Sequence, residues 1–380
     1  MSDKTALVFG GGGARAAYQV GVLKAIVQFY PRSHGIPFKV LSGTSAGGIN
    51  ATALATYASC FHLGVRKLEW VWSNLSIDQV YSASIAGVFG HLGKMAFKGM
   101  KSKGPNLQPA SLFNNEPLRN LLDQLVDFER IDRNINRHSL DAISLDTSCF
   151  DSCFCETFFQ AKSNIQDWQR SRRCGRRTRL TTDHLLASAA IPLIFPTVKI
   201  GQSYYADGSL HQFAPLSSPI HLGANRIIAI NLESPHKNEQ QSNTHYPQVE
   251  TIAGHLLDTI FSDTINSDLE RLLRINKTMA NIPKAYRRAI PLNHIDALVI
   301  KPSEDLSEIA AKYFHTIPIA FKILMKLMGI TGQSDSSIVS YLLFDKDYCK
   351  ALIRLGYEDT LCQIDDVKHF LNINDRLLSN

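Results

Sequence analysis

The chain has no run of about 20 apolar residues, the length a membrane-spanning helix requires. Leu185 to Val198 is interrupted by Pro192 and Pro196, and Ile317 to Ile330 carries Lys322 and Lys326. No secretory leader is visible either, because the apolar run Thr5 to Phe9 is short and leads straight into glycines. The expectation is a cytoplasmic protein that touches membranes peripherally, with export by a route that uses no signal peptide left open. Cysteine is sparse: there are seven, irregularly spaced. Cys149, Cys153 and Cys155 cluster, but Cys-x3-Cys-x-Cys is not a zinc spacing, so reduced, buried thiols and no metal are expected. Strong charge is lacking too. A net charge of +6 is too weak to argue for nucleic acid as a partner, and it suits transient contact with an anionic membrane surface.

What is present begins at the N-terminus. Thr5 to Phe9 reads as a buried strand, Gly10 to Gly13 as a loop, and Ala17, Val20, Leu23, Val27 and Tyr30 recur at helical spacing until Pro31. Four successive glycines are more than a tight connection needs, and they expose backbone N–H groups that bind a phosphate or an oxyanion. Gly11-x-Gly13-x-x-Ala16 satisfies a loose dinucleotide fingerprint, which also wants an acidic residue about 20 positions on. No such residue stands at the end of the second strand. Instead the chain reads Leu41-Ser42-Gly43-Thr44-Ser45-Ala46-Gly47, a G-x-S-x-G between a strand-like run and a helix-like one. That context turns a Gly-Ser-rich turn into a candidate nucleophile elbow, in which Gly43 and Gly47 avoid clashes and the following helix end favours negative charge at Ser45.

A third stretch, Tyr204 to Ser209, contains Asp207-Gly208. Alone it reads as a hairpin turn; beside a serine elbow and a glycine loop, Asp207 becomes a candidate base or orienting carboxylate supported by Gly208. Taken together, the three stretches resemble the patatin-like phospholipases, whose signatures are G-G-G-x-[R/K]-G, G-x-S-x-G and a late D-G-[G/A]. They occur here in that order, as Gly11 to Ala16, Gly43 to Gly47 and Asp207 to Ser209. Tyr18 to Leu23, Gly43 to Ala51 and Ala187 to Pro196 also resemble family text. Ala16 and Ser209 depart from the pattern without removing a catalytic side chain.

The resemblance covers roughly the first 235 residues and implies a three-layer α/β/α fold around a mainly parallel sheet. It implies a phospholipase A or lysophospholipase activity without cofactor or metal. Ser45 would be the nucleophile, Asp207 its base without a histidine relay, and the N–H groups of Gly11, Gly12 and Gly13 the oxyanion donors, with Arg15 supporting the loop. The substrate would be a phospholipid or other fatty-acyl ester. Two alternatives remain: a Ser-His-Asp esterase or acyltransferase, for which His184 and His211 are candidates, and a catalytically silent lipid-binding or scaffold protein.

The remainder divides less sharply. Residues 1–235 are expected to form the catalytic domain and residues 236–380 a mostly helical region integrated with it, with Ser234 to Pro247 the best linker. Ser84 to Lys103 sets Ile85, Val88, Phe89 and Leu92 on one helical face and collects lysines at its end. That composition fits a helix in a lipid interface or a plain amphipathic helix over the core, and its glycines argue for mobility. The six arginines between Arg170 and Arg179 suit lipid phosphates or a solvated loop.

Overall fold

The computed structural model describes residues 3–82, 111–233, 264–287, 292–317 and 337–373, with a few isolated positions between them. The segments Ser84 to Lys103 and Ser234 to Pro247 lie outside the described residues.

The centre of the protein is set by short runs of aliphatic residues that alternate between two faces. In β1 (Thr5–Phe9), Leu7 and Phe9 join one buried cluster while Ala6 and Val8 join another. The same alternation appears in β2 (Val40–Thr44) and β9 (Arg226–Ile230). Strands buried on both faces belong to a sheet covered by helices on both sides, which gives three layers. β3 (Ala142–Cys149) pairs parallel with β2, and β10 (Asp296–Ile300) pairs parallel with β9. The order β10-β9-β1-β2-β3 is therefore a parallel core.

Beyond β3 the sheet becomes mixed. β4 (Cys155–Ala161) returns antiparallel from β3 and is followed outward by β6 (Arg173–Arg177) and β5 (Trp168–Arg170). The hairpin of β7 (Val198–Ile200) and β8 (Ser203–Asp207) lies off this path and pairs with the last residues of β3. Because β3 extends past the end of β2, β8 delivers Asp207 opposite Thr147, one residue beyond the Thr44–Asp146 pair. Cys153 sits exposed in the β3–β4 turn and not on a face shared with buried Cys155, so the expectation of buried thiols fails there.

Helix α1 (Ala17–Val27) follows the glycine loop and α2 (Ala46–Thr56) follows Ser45. Helix α3 (Phe61–Asn74) packs beside them, burying Phe61, Val65, Leu68 and Trp72 at helical spacing. Four further helices matter for the site: α4 (Glu116–Leu125), α5 (Phe128–Asn136), α6 (Thr182–Ser188) and α7 (Leu306–Lys312). The chain's last part adds α8 (Ser337–Leu342) and α9 (Lys346–Cys362), and α9 lies along α1. Among the described residues, no helix is long and apolar enough to cross a membrane.

Candidate active site

Ser45 stands between the last residue of β2 and the first of α2, with φ 55° and ψ −133°. A non-glycine residue in that region stores local strain, and such strain persists only where the surroundings over-determine it. Here they do. A Cβ on Gly47 would come within 2.5 Å of the Gly10 carbonyl oxygen, and one on Gly43 within 2.5 Å of the Gly47 carbonyl oxygen. The Ser45 N–H donates to Ser188 Oγ at 3.0 Å, and Ser188 Oγ donates to the Asp146 carbonyl at 2.7 Å. Ser188, the last residue of α6, thus ties the elbow to β3; sequence patterns carry no sign of this contact.

The same helix end fixes the carboxylate. The Asp207 N–H donates to the Ala190 carbonyl at 2.9 Å, and a Cβ on Gly208 would collide with the Asp146 carbonyl. Asp207 Oδ1 accepts from the Ser209 N–H at 2.9 Å, while Oδ2 is buried without a partner at hydrogen-bond geometry. Burial pushes the carboxyl up to about 6, and the adjacent Ser45 hydroxyl and Ser209 pull it partly back. An acceptor oxygen left open beside a serine hydroxyl is poised to take a proton.

Below this pair lies a second buried carboxylate that the sequence reading missed. Asp146 Oδ1 accepts from Thr157 Oγ1 at 2.5 Å and Ser218 Oγ at 3.0 Å; Oδ2 accepts from Thr44 Oγ1 at 3.3 Å and from Gln212 Nε2. Burial raises its pKa and these neutral donors oppose the rise. Thr44 and Gln212 flank Ser45 and Asp207 in the chain, so Asp146 fastens the two turns from beneath.

His184 and His221 are occupied elsewhere, and His211 is not. His184 Nδ1 accepts from the Thr181 N–H at 3.1 Å in a capping box, and burial lowers its pKa to about 4. His221 stacks on Trp168 at 4.2 Å and contacts Ser217. His211 keeps Nδ1 buried without a partner.

Facing Ser45 is the glycine loop. Among the described residues neither Gly11 nor Gly12 donates to a backbone carbonyl, and Gly13 opens a short 3-10 helix whose first N–H groups have no internal partner. Gly13 has φ 55°, and a Cβ there would overlap the Tyr341 carbonyl oxygen. Buried Arg15 follows. Its Nε donates to Ser340 Oγ at 2.7 Å, Nη1 to Tyr341 Oη at 2.9 Å and Nη2 to Ser307 Oγ at 2.9 Å. The guanidinium also lies 3.9 Å over the Tyr341 ring. Arg15 therefore anchors the loop to α7 and α8.

From Ser45 an apolar cavity of about 160 Å³ leads away between α2, α3 and α4, lined by Ile49, Ala53, Leu68, Val71, Leu122 and Phe195 among others. Such walls accept a hydrocarbon chain and offer little to a sugar or peptide. Among the described residues, no cluster of His, Cys, Asp and Glu could hold a metal ion.

The chain is 38% identical over 65 residues to patatin-like phospholipase domain-containing protein 7 of Rattus norvegicus and 37% identical over 65 residues to that of Mus musculus. Those stretches are 17% of this chain and 4% of the relatives' length. Among solved structures, VipD from Legionella pneumophila aligns over 96% of this chain and 67% of its own at 11% identity and a TM-score of 0.31. The ExoU–SpcU complex of Pseudomonas aeruginosa aligns over 89% of this chain and 74% of its own at 16% identity and a TM-score of 0.26. The model of the family described as patatin-like phospholipase matches residues 7–220, more than half of the chain, and the protein belongs to that family.

Proposed function

We propose that the protein hydrolyses fatty-acyl esters of phospholipids or lysophospholipids through a Ser45–Asp207 dyad and an acyl-enzyme. Ser45 Oγ attacks the ester carbonyl as its proton passes to Asp207 Oδ2. The N–H groups of Gly11, Gly12 and Gly13 receive the tetrahedral oxyanion, and the end of α2 adds its positive potential. Collapse expels the alcohol, which takes the proton from Asp207; water, deprotonated by the same carboxylate, then releases the fatty acid. The acyl chain lies in the cavity that opens at Ser45, and the ester is drawn from a membrane surface. Residues 236–380 act as one unit with the catalytic part.

The observation that carries this reading is the buried Asp207 carboxylate, open at Oδ2 beside Ser45 and raised to about 6. The test is hydrolysis of a phospholipid panel by the parent protein, Ser45→Ala and Asp207→Asn, with fluorophosphonate labelling. Labelling at Ser45 alone and near-complete loss in both variants is expected. A Ser45→Ala variant that keeps most activity would place the nucleophile elsewhere, and a parent protein that hydrolyses nothing on the panel would point to a silent lipid-binding protein. The histidine-dependent alternative has one foothold, the unpartnered His211 Nδ1, so His211→Gln belongs in the same series. It should retain most of the rate, as should His184→Gln.

A further inference from the structure

Two observations away from the catalytic pair converge on one place. The first is the course of the apolar cavity. Ala46, Ile49, Ala53 and Tyr57 line it from α2 and the residue that follows, spaced three and four apart on one face. From Ser45 to Tyr57 it therefore tracks the helix for about 18 Å, the reach of a long acyl chain and far more than a short one needs. At the far end it is lined by half-buried Tyr57 and by Lys67 and Gln124, both exposed. Exposed lining residues at that end mark where a second mouth, remote from Ser45, would open. Among the described residues Lys67 makes no ion pair.

The second observation is the surface beside that mouth. A groove of about 360 Å³ is lined by Ser59, Asp127, Arg130, Arg133, Asn134 and Arg137. The Arg130 guanidinium lies 4.7 Å over the ring of Tyr57, the residue that frames the mouth. Helix α5 and its C-cap set Arg130, Arg133 and Arg137 three and four residues apart, on one face. Asp127 pairs with Arg133 at 3.2 Å, and the Asn134 amide is spent on the Ala55 and Thr56 carbonyls at 2.8 and 3.1 Å. Within the groove three guanidinium groups therefore confront one carboxylate, and exposed Lys67 lines the neighbouring end of the apolar channel. An apolar channel of acyl length that ends in surplus cations matches an anionic amphiphile.

We propose that this distal mouth binds the carboxylate of a long-chain fatty acid whose hydrocarbon tail lies in the channel with its methyl end toward Ser45. Guanidinium groups bind carboxylates by paired, charge-assisted hydrogen bonds, and the walls bury the methylenes. The fatty acid is the product of the hydrolysis proposed above, and the identity of the ligand rests on that reading. Bound in this reversed sense it occupies the space an incoming acyl chain needs, so product accumulation inhibits competitively.

The test uses Ser45→Ala protein, which cannot turn esters over, titrated with cis-parinaric acid and with its uncharged methyl ester while probe fluorescence is followed. The acid should bind at least about tenfold more tightly than the ester, the scale of a charge-assisted contact. In Lys67→Met/Arg130→Gln protein the acid should fall to the ester's affinity while the ester is unchanged. Equal binding of acid and ester in the parent overturns the proposal. So does an acid preference that survives the double substitution, because the carboxylate then sits at the glycine loop in the ordinary product orientation. Hydrolysis by the protein with Ser45 intact is scored separately, so failure of the hydrolase reading and failure of this site are distinguishable.

Discussion

At the scale of single residues, Asp207 links rate, pH and stability. Only its charged form accepts the Ser45 proton, so a carboxyl pushed up to about 6 makes hydrolysis rise through pH 6 and level off above pH 7. The same shift acts on folding with a definite sign. Between the ordinary value of 3.8 and about 6, the native state holds a proton that the unfolded chain has released. Stability from this group therefore falls as pH rises through that window, and above it the buried charge costs on the order of 3 kcal/mol. Asp207→Asn keeps the size and the acceptor for the Ser209 N–H but removes the charge. It should abolish hydrolysis and raise the thermal midpoint at pH 8, with little change at pH 4. An Asn variant that melts lower than the parent at pH 8 would show that the charged carboxylate stabilises the fold.

At the scale of elements, the pairing of α1 with α9 depends on two glycines that helix propensity alone would replace. A Cβ on Gly356 would overlap the Tyr18 carbonyl, and one on Gly21 the Ile353 carbonyl, so the helix backbones meet directly. The Tyr18 hydroxyl also donates to Asp359 at 3.0 Å across the same contact. Alanine favours an isolated helix by about 1 kcal/mol over glycine. Overpacking against a backbone that cannot swing aside costs about 1–3 kcal/mol, and two helices would have to separate. Gly356→Ala should therefore lower the thermal midpoint despite its better propensity, and Gly356→Val should lower it further. A higher midpoint in the alanine variant would mean that the helices yield.

At the scale of the whole molecule, what was legible in the sequence is what local chemistry dictates. The strand and glycine loop at Thr5 to Gly13, the elbow at Ser45 and the Asp207 turn each announce themselves within a few residues, because their geometry needs glycine at fixed offsets. The mixed wing beyond β3 was not legible as a wing, since pairing partners follow from registry and not from composition. Nor were Ser188 and Asp146, whose task is to hold neighbours that lie far away in the chain.

Arg15 is the strongest case of that kind. The family pattern marks it as loop support, yet its acceptors Ser307, Ser340 and Tyr341 lie 292, 325 and 326 residues onward, beyond any spacing rule. The consequence is that the chain's last quarter holds the loop facing Ser45, with Gly13 pressed on the Tyr341 backbone. Arg15→Met removes the fork and should lower kcat by about 10²-fold, the scale of losing one oxyanion donor, with KM changed much less. Arg15→Lys keeps the charge but cannot reproduce three planar contacts, so it should rescue only part of the rate. Tyr341→Phe deletes one acceptor and keeps the ring beneath the guanidinium; a loss of several-fold is expected, about 1 kcal/mol of hydrogen bonding. Steady-state kinetics on a soluble ester would separate kcat from KM in all three. If Arg15→Met turns over like the parent, the glycine loop holds its own shape and the C-terminal helices merely cover the core.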